Sequence, residues 1–286
     1  MAGMLCVLPA QAHKTIFSVG VRGGAQTVLP QIKSGEKWAV RNTYTGGGMA
    51  DLRYAYYGEL SSQCLWGFYV GLGAGVSSEA LSGTQTDHYL NRDYDGSPMD
   101  YTVHSAFHQT TVCARTELSI MMAFFFGPVS LNIGPRFVLP VVTSATMTVD
   151  DVTISARYTQ YDVTVTNQRI TGMLDLPSKH KVKADRPYGT LLIGAELGYE
   201  WQLTDHHGVG VQAYADLSVL NVGSPLEPSS EPMVDVAPIL NRIKPIPAVE
   251  VRSITDYIGD FRNLEFGLRV YYAFSVQTQY NRRRFR

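Results

Sequence analysis

The chain has 286 residues, and its 24 basic and 25 acidic side chains leave a net charge near zero. Overall charge therefore gives no reason to expect nucleic-acid binding. Charged residues make up 17% of the chain, below the roughly 25% of ordinary soluble proteins, whereas Tyr (17) and Gly (26) are abundant. The most apolar stretch, from Ile120 to Val129, is too short for a membrane-spanning helix, which needs about 20 residues. This combination is typical of a transmembrane β-barrel.

The first segment, 1–12, resembles the end of a signal peptide. Its apolar residues lead into Ala10-Gln11-Ala12, which matches an A-x-A cleavage site. No basic residues precede the apolar stretch, as they do in a complete signal peptide, so we expect the natural start to lie upstream. The alternative is a frayed apolar terminus.

Eight segments alternate between apolar and small or polar residues, which is the pattern of a strand with one apolar face. In chain order they cover 17–22, 50–57, 66–76, 112–122, 129–139, 191–203, 209–219 and 264–274. In the first stretch of 191–203, for example, Ile193 and Leu197 alternate with Gly194 and Glu196.

The connections between these segments also alternate in length. Those after the second, fourth and sixth segments are short, and the others are long, covering 24–48, 77–109, 141–189 and 220–262. Outer-membrane barrels join their strands by short periplasmic turns and long extracellular loops. The sequence therefore predicts an all-β fold: an eight-stranded antiparallel transmembrane β-barrel over 13–274, followed by a basic periplasmic tail at 275–286. Within the third long connection, 146–169 alternates too and is interpreted as a hairpin above the membrane, with a ninth and tenth membrane strand as the alternative.

The apolar string of each segment is predicted to face lipid, with aromatic side chains forming a girdle near the membrane surface. The aromatic residues assigned to this face are Trp66, Phe68, Tyr199, Trp201, Phe266, Tyr272 and Phe274.

The other string is predicted to line the lumen, and it contains nearly equal numbers of acids and bases. The acids are Asp51, Glu117, Glu196, Glu200, Asp216 and Glu265, and the bases are Arg22, Arg53, Arg115, Arg136 and Arg269. The interior of an eight-stranded barrel is just wide enough for side chains to fill it, and charges buried there must be paired. The sequence therefore predicts an ion-pair network that plugs the lumen. The residues assigned to it are Glu117, Glu196, Glu200, Asp216, Glu265, Arg115, Arg136 and Arg269.

Cys64 and Cys113 are expected to remain unpaired, with pairing of Cys64 to another molecule as the alternative. Cys64 belongs to a short turn and Cys113 to the opposite end of a predicted strand. These positions should be about 25 Å apart, far beyond the reach of a disulfide.

The second half of the chain contains the strings GPRFVLPV, GAELGYEWQL, VGVQAYADLSVLNV and the closing EFGLRVYYAF, which ends in an aromatic residue like the assembly signal of outer-membrane proteins. In these strings the chain resembles OmpA-like outer-membrane proteins of the Bacteroidota. These motifs are architectural, so the resemblance implies an outer-membrane barrel and little chemistry. Many members of that family carry a peptidoglycan-binding domain after the barrel; no such domain is expected in this sequence, so the resemblance does not imply cell-wall anchoring.

The sequence thus favours a non-enzymatic integral outer-membrane protein that supports the envelope or presents its loops outside the cell, without cofactor or metal. Its expected partners are membrane lipid or lipopolysaccharide and the barrel-insertion machinery, with an outer-membrane complex as a further candidate. Two alternatives stay open. One is a small porin or the accessory channel of a transport complex. The other is a lipid-modifying enzyme that would use His104, Ser105 and His108, with Glu79 or Asp100 as the orienting acid.

Overall fold

The computed structural model describes residues 13–31, 38–42, 44–61, 64–92, 96–169, 179–223, 251–257 and 260–278. The strands are β1 (His13–Gln31), β2 (Trp38–Asn42), β3 (Tyr44–Ser61), β4 (Cys64–Arg92), β5 (Pro98–Phe126), β6 (Val129–Tyr158), β7 (Val163–Arg169), β8 (Lys179–Lys181), β9 (Gly189–Gln202), β10 (His207–Val222) and β11 (Asp260–Thr278). One 3-10 helix covers Ile254–Tyr257. The predicted signal segment 1–12 lies outside the described residues. Because β11 continues to Thr278, the first four residues assigned to the basic tail belong to a strand, and the rest of that tail, 279–286, lies outside the described residues.

Eight of these strands form a closed ring. Around the ring the order is β1, β3, β4, β5, β6, β9, β10 and β11, and β11 pairs again with β1. Every neighbouring pair is antiparallel. The eight predicted segments lie within these eight strands, so the prediction of an eight-stranded antiparallel barrel is confirmed.

Side chains in the ring alternate as the sequence predicts. On β9, for example, Ile193 and Leu197 are exposed on the outside, whereas Gly194 and Glu196 are buried inside. Three short connections join β3 to β4, β5 to β6 and β9 to β10, and we call the end of the barrel that carries them the turn end. The connection between β5 and β6 contains Gly127 with φ +61°, a conformation that glycine adopts without steric cost.

Three strands continue far beyond the ring, and here the prediction of a long loop at 77–109 is wrong. β4 and β5 stay paired from Cys64 opposite Phe126 to Arg92 opposite Pro98, so nearly all of this connection is strand. β6 continues with them, β7 and β8 pair with β6, and β2 pairs with β4. We call this part the extension. The hairpin predicted at 146–169 is the outer part of β6 together with β7. Because β7 lies outside the ring, the alternative of two more barrel strands does not hold.

The polarity of the two faces reverses where the extension begins. Val76, Ala114 and Val141 lie side by side on the outer face, and they are the last apolar row before it. Beyond this row many inward side chains are apolar and buried, as at Leu81, Phe107, Val149 and Val152, and polar groups such as Glu79 and Gln109 are buried among them. The outward ones become polar: Ser82, Thr84, Thr86, His104, His108 and Thr148. Such a reversal is expected where a sheet passes from lipid into water, because the apolar face must then turn inward to form a core.

Part of the last long connection packs against the inner face of the extension. The side-chain oxygen of Gln109 accepts hydrogen bonds from Ser253 Oγ at 3.1 Å and from the Ile254 backbone N–H at 2.8 Å. Thr255 Oγ1 accepts another from the Asp185 N–H at 3.1 Å. Segment 251–257 therefore covers the lumen on the side opposite the turn end. No helix in the described part of the chain is long and apolar enough to cross a membrane.

Candidate functional site

A layer of ten charged side chains crosses the middle of the lumen. Each is at most 9% exposed, and the five acids and five bases cancel. The acids are Asp51, Glu117, Glu196, Asp216 and Glu265, and the bases are Arg22, Arg53, Arg115, Arg136 and Arg269. Buried charges are tolerated when they are paired, and each of these ten forms an ion pair with at least one opposite charge.

Arg136 is the centre of the layer and is completely buried. Its Nη1 lies 3.3 Å from Glu117 Oε1, and its Nε lies 3.1 Å from Asp216 Oδ1. Its Nη2 donates to Glu196. One guanidinium thus links carboxylates from β5, β9 and β10, which only Arg, with five donors in a planar group, can do.

Two other arginines bind carboxylates with paired hydrogen bonds. Arg53 donates to the two oxygens of Glu196 at 2.7 and 2.9 Å. Arg269 donates to Asp51 from Nη2 at 2.6 Å and from Nε at 2.9 Å. Such two-point contacts are strong and fix the orientation of both groups.

The remaining pairs complete the layer, and tyrosines cover the cations. Arg115 Nη1 lies 2.7 Å from Glu265 Oε2, and Arg22 donates to Glu117. The guanidinium of Arg53 lies 4.7 Å from the ring centre of Tyr69, and that of Arg269 lies 4.5 Å from the ring centre of Tyr271. These cation–π contacts replace part of the hydration that burial removes.

Seven of the eight residues assigned to the network from the sequence lie in this layer, and Glu200 does not. Glu200 lies closer to the turn end and accepts a hydrogen bond from the Tyr271 hydroxyl at 3.1 Å. The assignment also omitted Asp51, Arg22 and Arg53, although all three belong to the inward string. An assignment that included every charged residue of the inward string would have contained all three.

Below the charged layer, toward the turn end, the lumen is filled by an apolar layer. Its members are Ile16, Ala55, Tyr57, Tyr69, Met121, Ala123, Phe125, Tyr271 and Ala273. The described residues line one cavity on each side of the ions, and each of these two has a volume of about 30 Å³. A space of this size holds one or two water molecules. The described side chains therefore leave no continuous aqueous path through the barrel.

Gly194 provides a test of how tightly this layer is packed. A Cβ atom at this position would lie 2.1 Å from Asp216 Oδ1 and 2.9 Å from Arg136 Nε. Gly194→Ala should therefore destabilise the barrel by about 1–3 kcal/mol, because the buried ion pair must shift to make room. Urea-induced unfolding in lipid vesicles measures this change. The neighbouring outward substitution Ala195→Val adds bulk toward lipid and should have little effect, and equal destabilisation by both would contradict the packing argument.

The outer face of the ring is a continuous apolar surface. All seven aromatic residues assigned to it are exposed. Aromatic side chains on this face form ring contacts near the turn end. The ring centroids of Tyr199 and Trp201 are 4.9 Å apart, and those of Phe17 and Tyr54 are 5.0 Å apart. An apolar band of this extent with aromatic residues at its border is what a transmembrane barrel presents to lipid.

The structure does not assemble the residues of the hydrolase alternative. Ser105 is buried on the inner face of β5, whereas His104 and His108 point outward, where they form hydrogen bonds with Thr86 and Ser82 at 2.8 and 2.9 Å. Glu79 is also on the inner face, where it pairs with Arg186. Asp100 lies near the far end of the extension, next to Arg157 on the neighbouring strand. These groups therefore do not share one surface on which a substrate could bind.

Cys64 and Cys113 are both free thiols. Among the described residues, no group of three or more His, Cys, Asp or Glu side chains is placed to hold a metal ion.

No protein-family model matches the chain, and no curated protein is similar to it in sequence. Comparison with solved structures finds β-barrels at low similarity. Ail, the attachment invasion locus protein of Yersinia pestis, is 10% identical with a TM-score of 0.29, covering 92% of this chain and 99% of Ail. The Neisserial surface protein A is 9% identical with a TM-score of 0.26, covering 90% and 95%. The outer membrane protease OmpT from Escherichia coli is 10% identical with a TM-score of 0.28, covering 93% and 97%. Similarity this low does not support a conclusion about this chain. The fold and the function proposed below therefore rest on its own strands and side chains.

Proposed function

We propose that the protein is an integral outer-membrane β-barrel with a closed lumen, which carries its extension out of the membrane into the medium. The observation that supports this most directly is the reversal of polarity at Val76, Ala114 and Val141. Below that row the outer face is apolar and the lumen charged, and above it the outer face is polar while apolar side chains such as Leu81, Phe107 and Val149 are buried inside, together with paired or hydrogen-bonded polar groups. Strands that carry both of these polarity patterns are stable only if their first part is surrounded by lipid and their second part by water.

The role that follows is structural, or binding through the exposed part of the chain, rather than transport. A porin needs a continuous aqueous path, and here the charged layer, the apolar layer and segment 251–257 lie across the lumen in succession. The resemblance of the strands around Glu196 and Arg269 to OmpA-like barrels of the Bacteroidota agrees with an envelope role. The barrel would contact lipid or lipopolysaccharide through its apolar band, and the barrel-insertion machinery during assembly. Its extension would be the part available to an outer-membrane complex or to a ligand outside the cell.

The orientation can be tested by inserting a protease site on each side of the membrane. A site at Ser229 lies in the long connection between β10 and β11, outside the described residues, and a matched site at Gly127 lies in a short turn. In intact cells the first should be cut and the second protected, because we place the long connections outside and the turns in the periplasm. Both should be cut after lysis. Cleavage of the Gly127 site alone in intact cells would reverse the orientation and remove the basis for an external role.

A further inference from the structure

A groove lies on the outer face of the ring, within the apolar band, and has a volume of about 650 Å³. Its lining is almost entirely hydrocarbon and includes the rings of Phe17, Tyr54, Tyr272 and Phe274. Ser18 and Arg53 also border it, but their side chains point into the lumen, where they contact Arg269 and Glu196. The outward side chains that line the groove are exposed, so it is open to the medium around the barrel.

The groove exists because a small side chain lies between larger ones. Strand pairing places Val19 on β1 between Tyr272 on β11 and Leu52 on β3. In the next outward row toward the turn end, Phe17 lies beside Tyr54, with their ring centroids 5.0 Å apart. Val19 therefore forms the floor of the groove, and the aromatic row bounds it on the side of the turn end.

Small outward residues continue the groove along β1 and β3 in the other direction. They are Val21, Gly23, Ala50 and Gly48, and all are exposed. A Cβ atom would have its nearest neighbour at 3.6 Å at Gly23 and at 3.8 Å at Gly48, which is ordinary contact. Packing inside the barrel therefore does not require glycine at either position, and the effect of the missing side chains is on the outer surface.

The length of this groove suits one hydrocarbon chain from one leaflet. Phe17 and Gly23 are six residues apart on β1, which is about 20 Å at ~3.3 Å per residue. With a strand tilt of ~40°, this distance rises about 15 Å through the membrane. A single leaflet provides half of the ~30 Å hydrocarbon core, so an acyl chain can lie in the groove over its whole length.

A polar group lies where the groove meets the turn end. The His207 ring is 5.4 Å from the ring of Phe274 and 5.8 Å from that of Tyr272, measured between centroids. The Tyr272 hydroxyl and His207 Nδ1 are hydrogen-bonded. When the hydroxyl donates in this bond, Nε2 carries the ring proton and can donate to an acceptor at the membrane surface. The site thus combines an apolar groove with one donor at its end, which is the pattern that an amphiphile requires.

The driving force for binding in this position is packing. In the membrane arrangement proposed above, hydrocarbon surrounds the groove, so removal of apolar area from water contributes nothing. A concave wall still favours a chain that fills it, because the chain then contacts fixed atoms on several sides. A second copy of the protein is a poorer occupant. A two-fold contact sets the same surface against itself, so groove would face groove and neither would be filled.

We propose that this groove binds one acyl chain of a glycerophospholipid, whose phosphate accepts a hydrogen bond from His207. A single donor at the end of the groove matches a headgroup with a single phosphate, and a hydrogen bond to a charged acceptor is stronger than one between neutral groups. The inference rests on the proposed function, which places this face in lipid, and it adds a specific lipid site to the general contact with the bilayer.

The proposal can be tested by native mass spectrometry of the purified full chain in nonionic detergent, which counts the lipids bound to each molecule. The probe is palmitoyl-oleoyl phosphatidylethanolamine. Dihexanoyl phosphatidylethanolamine, with the same headgroup on short chains, and inorganic phosphate are the comparisons. Val19→Trp fills the floor of the groove, and His207→Phe keeps an aromatic ring but removes the donor. Val129→Trp is the matched control, because Val129 is also outward and exposed but lies on β6, on the opposite side of the ring.

We expect the wild type to retain one molecule of the long-chain lipid, and neither comparison compound. Val19→Trp should weaken this binding by about tenfold, since the new ring takes the place of the chain. His207→Phe should also weaken it by about tenfold, the effect of losing a hydrogen bond to a charged group. Val129→Trp should bind as the wild type does. Retention of the compact electrophoretic form before heating shows that each variant is folded.

Several results would overturn the proposal. They are the absence of a retained lipid, equal binding of the short-chain lipid or of phosphate, wild-type binding by folded Val19→Trp or His207→Phe, and equal loss in Val19→Trp and Val129→Trp. A dimer that Val19→Trp abolishes would show that a second copy occupies the groove instead. Failure here would leave the protease result on orientation intact. Reversed orientation would leave lipid binding by the purified protein intact and change only the leaflet that supplies the lipid.

Discussion

Replacing Arg136 by Ala should lower the free energy of unfolding by about 3–5 kcal/mol, the cost of breaking a buried ion pair by removing one partner. Arg136 is fully buried and contacts Glu117, Glu196 and Asp216, so its loss leaves three carboxylates with less compensation. Water that enters the gap would reduce this cost toward the lower end of the range. Urea titration of the refolded barrel in lipid vesicles measures the change.

Arg157→Ala is the matched control for this measurement. Arg157 also forms an ion pair, with Asp162 at 3.3 Å, but its side chain is 60% exposed. Exposed pairs contribute only about 0–1 kcal/mol, so this variant should unfold almost like the wild type. If the two substitutions cost the same, the charged layer is not a buried, mutually dependent network.

The Arg136 variant should also differ from the wild type in planar bilayers. The wild type should show little current, because the charged layer and the apolar layer below it close the lumen. Removing the central guanidinium opens space between the remaining carboxylates, so Arg136→Ala should raise the frequency of small cation-conducting events. A steady current of porin size from the wild-type protein would show that the lumen is open and would favour the channel alternative.

The second large effect is expected on the lipid face, at Leu197. This residue lies midway along the outward row from Leu191 to Leu203, and its side chain is 58% exposed on the barrel surface. Leu197→Arg should cost about 2–4 kcal/mol of folding free energy in bilayers, the cost of placing Arg near the middle of the membrane. The measurement is again the unfolding free energy in lipid vesicles.

Leu203→Arg is the control for depth. Leu203 is equally apolar but follows β9 in a short connection at the turn end, where the substitution should cost only about 0–1 kcal/mol. If Leu197→Arg folded as well as Leu203→Arg, the outward row would not cross the middle of the bilayer, and the membrane assignment of this face would be wrong.

The sequence by itself determined which face of each ring strand is apolar. Side chains alternate strictly along a strand, so the apolar string of 191–203 already assigned Leu197 to the outside and Glu196 to the inside. A closed barrel of eight strands was also predicted from the number of such segments and from the alternating lengths of their connections. These features are local, and they need no knowledge of how the strands meet.

The partners within the lumen were decided only by the tertiary structure. Arg53 and Glu196 are 143 residues apart and lie on β3 and β9, which are not neighbours in the ring. Contacts across a barrel depend on the stagger and tilt of all its strands, which no single segment reveals. For the same reason the sequence placed Glu200 in the network, although at its level the lumen is apolar and its partner is Tyr271.

The sequence also did not predict the extension, and the reason is the change of solvent along its strands. The residues 77–109 alternate as strands do, but with Leu81 and Phe107 facing inward and Thr84 and His104 facing outward. A search for apolar side chains on the lipid-facing string ends at Val76, because in the proposed membrane arrangement the outside of the sheet beyond that row meets water instead of lipid. Strand geometry is the same in both media, whereas the face that must be apolar depends on which medium surrounds the sheet. Only the three-dimensional pairing showed that β4 and β5 continue unbroken through that change.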